Sequence, residues 1–300
     1  LKRILFTIVF TLLLCTTAHA HTLTDDTGHT VTFDRPFTRI ISLYGAHTEN
    51  LFGLGLDEEI VGVSTSEDYP LAATAKPSFN SRDGVEKFLA AEPDLILIRP
   101  MHMRAYAGLW KALRKRGVAV VALQPDTVEA MYAYWRALGL LTGRETKAEY
   151  MIEDFQDGVR RAEDRLASLP DDDRPGVFFE SIHSKYATFS PGSMPLFVLD
   201  KAGGRNMAAD ARPRHGTNIA DYGMERVLNH GDRIDVYLAQ HGTMNEVSVP
   251  DIVNAPAASR IKAVLSRNVF LVDERLVSRP TMRLLQGIDT VFRLLHPTAS

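Results

Sequence analysis

Residues 145–169 carry one uninterrupted amphipathic repeat, and the chain on either side keeps a different rhythm. Ala148, Met151, Ile152, Phe155, Val159, Ala162 and Leu166 recur at three- and four-residue steps, with Glu, Asp and Arg filling the opposite face. That is the pattern of a helix packed along one stripe. At the standard rise per residue, a helix from Glu145 to Leu169 is about 37 Å long. The breakers Pro170-Asp171-Asp172-Asp173-Arg174-Pro175 stop it. A rod of that length in mid-chain separates two halves and suits a strut between them.

Both halves alternate short apolar runs with helical stretches. Before the strut the runs are Ile40–Leu43, Ile60–Val63, Leu95–Ile98 and Val118–Val121, interleaved with helix-like stretches at Leu51–Leu56, Val85–Ala91 and Tyr106–Arg116. After it come Val177–Phe179, Val236–Leu238 and Val269–Val272, with helices at Leu196–Ala202, Glu225–Asn229 and Ile252–Val264. Runs this short and uniformly apolar are strands covered on both faces, so the expected class is α/β with a parallel sheet in each half. A hairpin over residues 22–33, turning at Thr27-Gly28, precedes the first run. The expected division is an N-terminal lobe over 21–143, a connecting helix over 144–169 and a C-terminal lobe over 170–300. The halves also echo each other: Gly84-Val85-Glu86-Lys87-Phe88-Leu89 leads into Leu95–Leu97 as Gly223-Met224-Glu225-Arg226-Val227-Leu228 leads into Val236–Leu238.

Residues 1–20 read as an export signal, with Lys2 and Arg3 before the apolar run Ile4–Leu14 and a cleavage site at Ala18-His19-Ala20. The run is shorter than the roughly 18–20 apolar residues of a membrane helix. The mature chain is therefore expected to begin near His21, in the periplasm. Cys15 offers a lipoprotein alternative, weakened by Leu14 where such signals carry a small residue. It is also the only cysteine, so disulfides, thiolate nucleophiles and cysteine-ligated metals are excluded from the chain after the signal. A net charge of −3 with no basic segment gives no reason to expect nucleic acid. Motifs for a Gly-x-Ser-x-Gly elbow, a phosphate loop, a dinucleotide fingerprint or His-Glu-x-x-His are missing, so catalysis is not expected.

Several segments taken together resemble the periplasmic binding proteins for cobalamin, haem and iron-siderophore complexes. They are Arg39–Leu43 with Glu49–Gly55, Ile60–Ser64, Val85–Ile96 and the closing Arg283–Ile288, in this order around the strut. The resemblance spans nearly the whole mature chain. It implies two Rossmann-like lobes with parallel sheets bridged by one long helix, and a monomeric receptor that delivers cargo to an ABC permease and its ATPase subunits. It also implies that one glutamate per lobe, at the start of a helix, docks onto permease arginines; Glu86 and Glu225 hold those positions. The helix dipole favours a carboxylate there in any case.

Ligands of open parallel sheets sit outside the carboxyl ends of the strands. The segments expected there are Tyr44-Gly45-Ala46-His47, Arg99-Pro100-Met101-His102-Met103-Arg104, Glu180–Tyr186 and Gln240–Met244, with Arg212-Pro213-Arg214-His215 in an irregular stretch. They contribute five of the ten histidines, His47, His102, His183, His215 and His241, which are candidate metal ligands though not all at once. The phenols of Tyr44 and Tyr186 and the thioether of Met101 can complete an iron or cobalt coordination sphere, and Arg99, Arg104, Arg212 and Arg214 suit an anionic ligand. Taken singly, a loop histidine or arginine is more often a solvated surface residue. Convergence of several loops favours an iron- or cobalt-containing chelate as cargo, with no catalytic cofactor. The alternatives are a free or weakly complexed Zn, Mn, Ni or Co ion, against which the arginines speak, and a metal-dependent hydrolase, for which Glu180 is the one carboxylate on offer.

Overall fold

The computed structural model describes residues 20–170, 174–214 and 217–297. The N-terminal segment with Cys15 that reads as an export signal, the acidic centre of the breaker cluster (171–173) and His215 lie outside the described residues. A hairpin of β1 (His21–Thr24) and β2 (Thr30–Phe33) opens the fold. Its turn contains Gly28 at φ 79°, a conformation glycine adopts without strain.

The first sheet contains β3 (Ile40–Ser42), β4 (Ile60–Ser64), β5 (Ser78–Phe79), β6 (Leu95–Ile98) and β7 (Ala119–Ala122), all parallel, in the order β5-β4-β3-β6-β7. Its helices are α1 (Gly45–Gly53), α2 (Val85–Ala90), α3 (Pro100–Ala105), α4 (Ala107–Arg114) and α5 (Val128–Thr142). Alternate strand residues enter two different cores. Ile40, Leu95, Leu97 and Val121 face α5 and the strut, whereas Ile41, Ile96, Ile98 and Val120 face Phe88 and Trp110. This is the two-sided burial that continuous apolar runs demand.

The strut is α6 (Glu145–Ala167), 23 residues long. Phe155 at its centre packs edge-on against Trp135 at 5.6 Å and stacks with Phe197 at 6.3 Å. One aromatic therefore ties α5 to the second half, and a single core runs through the strut. Burying a side chain of that size stabilises by roughly 1.5–3 kcal/mol.

The second half carries β8 (Gly176–Glu180), β10 (Arg205–Asn206), β13 (Val236–His241) and β14 (Val269–Asp273), again parallel, ordered β10-β8-β13-β14. Between them lie β9 (Thr188–Phe189), α7 (Met194–Lys201), β11 (Arg212–Pro213), β12 (Ile219–Asp221), α8 (Met224–Asn229), α9 (Val249–Val253) and α10 (Lys262–Leu265). Two last helices, α11 (Glu274–Val277) and α12 (Leu284–Leu295), bring the chain back against α7 and α6.

Four expectations are corrected. Tyr44 to His47 form no loop, because α1 starts at Gly45 and takes His47 into its first turn. Met101, His102 and Arg104 sit on α3, which Pro100 opens at a position where its missing N–H costs nothing. The stretch around Arg212 to His215 is partly strand, with β11 antiparallel to β12. The single helix over Ile252–Val264 is two short ones, broken at the segment that contains Pro256.

Candidate ligand-binding cleft

In each sheet the strand order reverses direction at one point, between β3 and β6 in the first and between β8 and β13 in the second. Side chains at the carboxyl ends of those four strands form two walls.

The first wall is built on β3 and β6. The Arg99 guanidinium lies 4.8 Å from the centroid of the Tyr44 ring, and its Nε is buried with no protein partner among the described residues. Burial pushes the Tyr44 phenol pKa up. His102 is half-buried, its Nδ1 is likewise unpartnered, and burial together with Arg99 lowers its pKa. Met101 remains 48% exposed, and Arg104 is exposed. His47 behaves differently. It is fully buried, with Nδ1 2.7 Å from the Tyr134 hydroxyl and Nε2 3.1 Å from the Ile98 carbonyl. A carbonyl only accepts, so Nε2–H donates to Ile98 and Nδ1 accepts from Tyr134. With both nitrogens engaged and its pKa pushed down to about 3 by burial, His47 has nothing to offer a metal; here the histidine expectation is corrected.

The second wall is built on β8 and β13. Glu180 is completely buried; its carboxylate accepts from His183 Nδ1–H at 3.0 and 3.2 Å and, through a short hydrogen bond, from the Tyr237 hydroxyl. The Glu180 hydrogen bond raises the His183 pKa against the opposing effect of burial. Asn245 accepts the His183 backbone N–H at 2.8 Å, and the Tyr186 ring stands edge-on at 5.4 Å. His241 is exposed and donates Nδ1–H to the Val247 carbonyl at 3.0 Å. Both histidines thus keep Nε2 without a protein partner among the described residues.

A charged clasp shows that the two walls face each other. Arg279 Nη1 lies 2.8 Å from Glu49 Oε1 and 3.0 Å from Asp68 Oδ1, Arg275 Nη1 lies 3.1 Å from Asp68 Oδ2, and Arg283 lies 4.4 Å over the Tyr69 ring. The arginines follow β14, whereas Asp68 and Tyr69 follow β4 and Glu49 is on α1, so carboxyl edges of both sheets are joined. Arg279 passes so close to Gly45 that a Cβ there would sit 2.8 Å from its Nη1. Burial raises the pKa of Glu49, and raises that of Glu67, beside Asp68, to about 7. Glu49 opens one of the segments that carry the resemblance, but nothing local pairs it with Arg279; only their approach across 230 positions does.

The remaining candidates are dispersed. Arg212 is exposed, and Arg214 is paired with Asp221 through Nε at 2.6 Å. Among the described residues no three His, Cys, Asp or Glu side chains converge into a metal cage. Two concavities, of about 260 Å³ along the strut at Arg165 and about 420 Å³ beneath the hairpin at Arg114, hold none of the sequence-predicted site residues.

Glu86 and Glu225 are exposed at equivalent places, the second residue of α2 and of α8, each after a glycine and two residues before a buried apolar side chain, Phe88 or Val227. The neighbouring cations are neutralised elsewhere, Lys87 by Asp83 at 2.7 Å and Arg226 by Asp210.

Residues 40–276 match the periplasmic binding protein family. The chain belongs to that family. Among its periplasmic binding protein relatives, the uncharacterised ABC transporter substrate-binding lipoprotein YvrC of Bacillus subtilis is 24% identical over 92% of this chain and 85% of its own length. A vitamin B12-binding protein of Vibrio cholerae is 24% identical over 85% of this chain and 88% of its own. A solved structure of a possible iron-binding, periplasmic solute-binding protein from Staphylococcus epidermidis superposes with a TM-score of 0.75 at 25% identity, covering 87% of this chain and all of that one.

Proposed function

We propose that this chain is the periplasmic, non-enzymatic solute receptor of an ABC importer, and that it captures an iron or cobalt chelate between the walls described above. One observation carries the reading: imidazole and phenol groups stand at the switch points of both sheets, with the Arg99 guanidinium in the first wall, and the clasp joins the two carboxyl edges. Arg99, with a buried Nε awaiting an acceptor, suits an anionic group on the chelate. A bare cation is disfavoured by the Arg99 guanidinium in the first wall, which would repel it. The relatives named for vitamin B12 and for iron support cargo of this chemistry.

Delivery is assigned to Glu86 and Glu225. Two carboxylates in matched settings, one per lobe, let a permease with paired cations register the receptor. The strut and its continuous core restrict the lobes to a small change of spacing.

Quenching of intrinsic fluorescence by hemin, cobalamin, ferric siderophores and free Ni²⁺, Co²⁺ and Zn²⁺ tests the reading. Saturable binding of a chelate supports it, response to free ions alone replaces it with a bare-metal receptor, and silence to all sinks it. Reversing both docking charges, Glu86→Lys with Glu225→Lys, is expected to abolish uptake and leave ligand affinity intact. Surviving uptake would remove the docking assignment.

A further inference from the structure

Away from the cleft, Arg114 at the end of α4 is short of partners, and it lines the concavity of about 420 Å³ beneath the hairpin. Its Nη2 donates to the Val120 carbonyl at 2.7 Å, its Nε is buried, and neither Nε nor Nη1 has a hydrogen-bond partner among the described residues. The carboxylate paired with it, Asp25, stays 4.0 Å from Nη2. Asp25 is engaged elsewhere: Oδ1 accepts from Thr27 N–H, the Thr27 hydroxyl and His29 N–H, and Oδ2 accepts from Ala122 N–H. Those bonds close the hairpin turn onto β7, so the turn holds the carboxylate and the arginine does not. Burial lowers the Arg114 pKa against the opposing effect of Asp25. The concavity along the strut differs, because Arg165 there has a carboxylate within reach, Asp289 at 2.8 Å, and lies 3.8 Å over the Phe292 ring.

The lining beneath the hairpin combines two chemistries. Val31, Phe33 and Val118 supply buried apolar surface. Arg35 also lines it, exposed and without an ion pair among the described residues; Lys115 and Arg116, between the lining residues Arg114 and Gly117, are likewise exposed and unpaired. Two lining carboxylates oppose these cations. Asp94 accepts from the backbone N–H groups of Thr38 and Arg39, which leaves Asp34. Asp94, Gly117 and Val118 precede β6 and β7, so the concavity lies at the amino edge of the first sheet, whereas the cleft walls stand at carboxyl edges.

A poorly compensated guanidinium beside apolar surface suits a ligand that carries an acidic group on an apolar body. A bare anion would leave the apolar lining in water, and a neutral hydrophobe would cover the guanidinium without giving it an acceptor. We propose that this concavity is a second binding site, separate from the cleft, for a small amphipathic oxoanion. Its phosphate or carboxylate head pairs with Arg114 and Arg35, and its apolar body lies on Val31, Phe33 and Val118. Lys115 and Arg116 draw such anions to this edge of the sheet.

The test titrates the mature protein with monomeric decyl phosphate, decanol and inorganic phosphate by calorimetry, and maps the decyl phosphate complex by amide NMR shifts. Decyl phosphate should bind one-to-one, with the other two probes at least tenfold weaker, and its shifts should fall on residues 29–37 and 114–120. Arg114→Gln should lose at least tenfold in affinity. Two variants at exposed positions keep the test decisive even where Arg114→Gln fails to fold. Arg35→Gln should weaken binding about threefold and Asp34→Asn should strengthen it about threefold, opposite signs from adjacent positions. Phosphatidylglycerol vesicles separate the sources of the head group: co-sedimentation that Arg35→Gln weakens assigns the site to a membrane lipid, and decyl phosphate binding without co-sedimentation assigns it to a free amphiphile. Shifts confined to the cleft segments 44–47, 99–104 and 180–186 would overturn the proposal. So would decanol or inorganic phosphate binding as tightly as decyl phosphate, Arg35→Gln and Asp34→Asn moving the affinity in the same direction, or no binding of decyl phosphate and vesicles alike. None of these outcomes bears on the receptor reading, which concerns the cleft.

Discussion

His47 and His183 occupy comparable places, each just past the carboxyl end of the first strand of its sheet, yet their surroundings give them opposite chemistry. His47 is enclosed between a carbonyl and a phenol; burial outweighs the opposing effect of the Ile98 hydrogen bond, and its pKa falls to about 3. His183 leans on a carboxylate and its pKa rises. Burial disfavours the imidazolium in both; a single anionic partner decides which effect wins. One histidine is thereby a neutral hydrogen-bond bridge between protein groups, and the other pairs through Nδ1 with a buried carboxylate.

The largest effect expected from breaking this contrast is on the buried partner. His47→Ala leaves the Tyr134 hydroxyl proton without its acceptor in a fully buried site, while the Ile98 carbonyl keeps only the Leu123 N–H, and should cost about 3 kcal/mol in a urea titration. His183→Ala should shift the midpoint little. Equal losses in the two variants would mean that His183 too is structural.

Next comes the clasp that sets the walls opposite each other. Arg279→Gln takes the nearer of two cations from the Glu49 carboxylate, whose side chain is only 3% exposed, leaving Arg283 at 3.5 Å, and should cost about 2 kcal/mol, somewhat less than breaking a fully buried pair. An unchanged stability would mean that the clasp does not hold the lobes.

The pH dependence sharpens the comparison further. Unfolded His47 takes up a proton below about 6.5 and folded His47 only near 3, so its contribution to stability is lost as pH falls through that window. For His183, whose folded pKa is raised, the contribution is complete below about 6.5 and is lost as pH rises through the folded value. Stability differences of His47→Gln and His183→Gln from wild type should therefore slope in opposite directions with pH. Parallel slopes would refute the assigned environments.

The smallest effect is expected at Glu67, whose pKa of about 7 means that ionising it in the folded protein is a cost that appears as pH rises from about 4.5 to above 7. Glu67→Gln should raise the melting midpoint by about 2 °C at pH 8 and leave it unchanged at pH 4. A fall at pH 8 would show that its charge is needed beside Arg279.

What could be read from the sequence follows from how local each signal is. The strut was legible to within two residues, because its repeat is sustained over 23 positions with a polar face outward. The parallel strands were legible as apolar runs. Helix α5 was not, because Ala130, Tyr132, Ala133, Ala137 and Leu140 on its other faces are apolar as well and blur the three- and four-residue spacing of the buried Met131, Tyr134, Trp135, Leu138 and Leu141. Its ends were signalled nonetheless, by Thr127, whose side chain accepts from Ala130 N–H, and by Gly143 at φ 66°. The histidines could be placed near the strand ends but not told apart. Tyr134 is 87 positions from His47 and Ile98 is 51, and no local pattern announces partners at that distance. Glu180, three residues before His183, was legible as a carboxylate but not as its support.

The clasp also constrains when the molecule can finish folding. Arg279 reaches back 230 positions to Glu49, and contacts of such separation form only after the intervening chain has been made and ordered. A chain emerging from its N-terminus can assemble the first sheet, then the strut, then most of the second, while Glu49 and Asp68 still face water. Setting the distance between the walls is thus left to the last stretch of polypeptide to arrive, and a chain halted just before Arg275 has both sheets formed and joined through the strut, but lacks the clasp that closes their carboxyl edges.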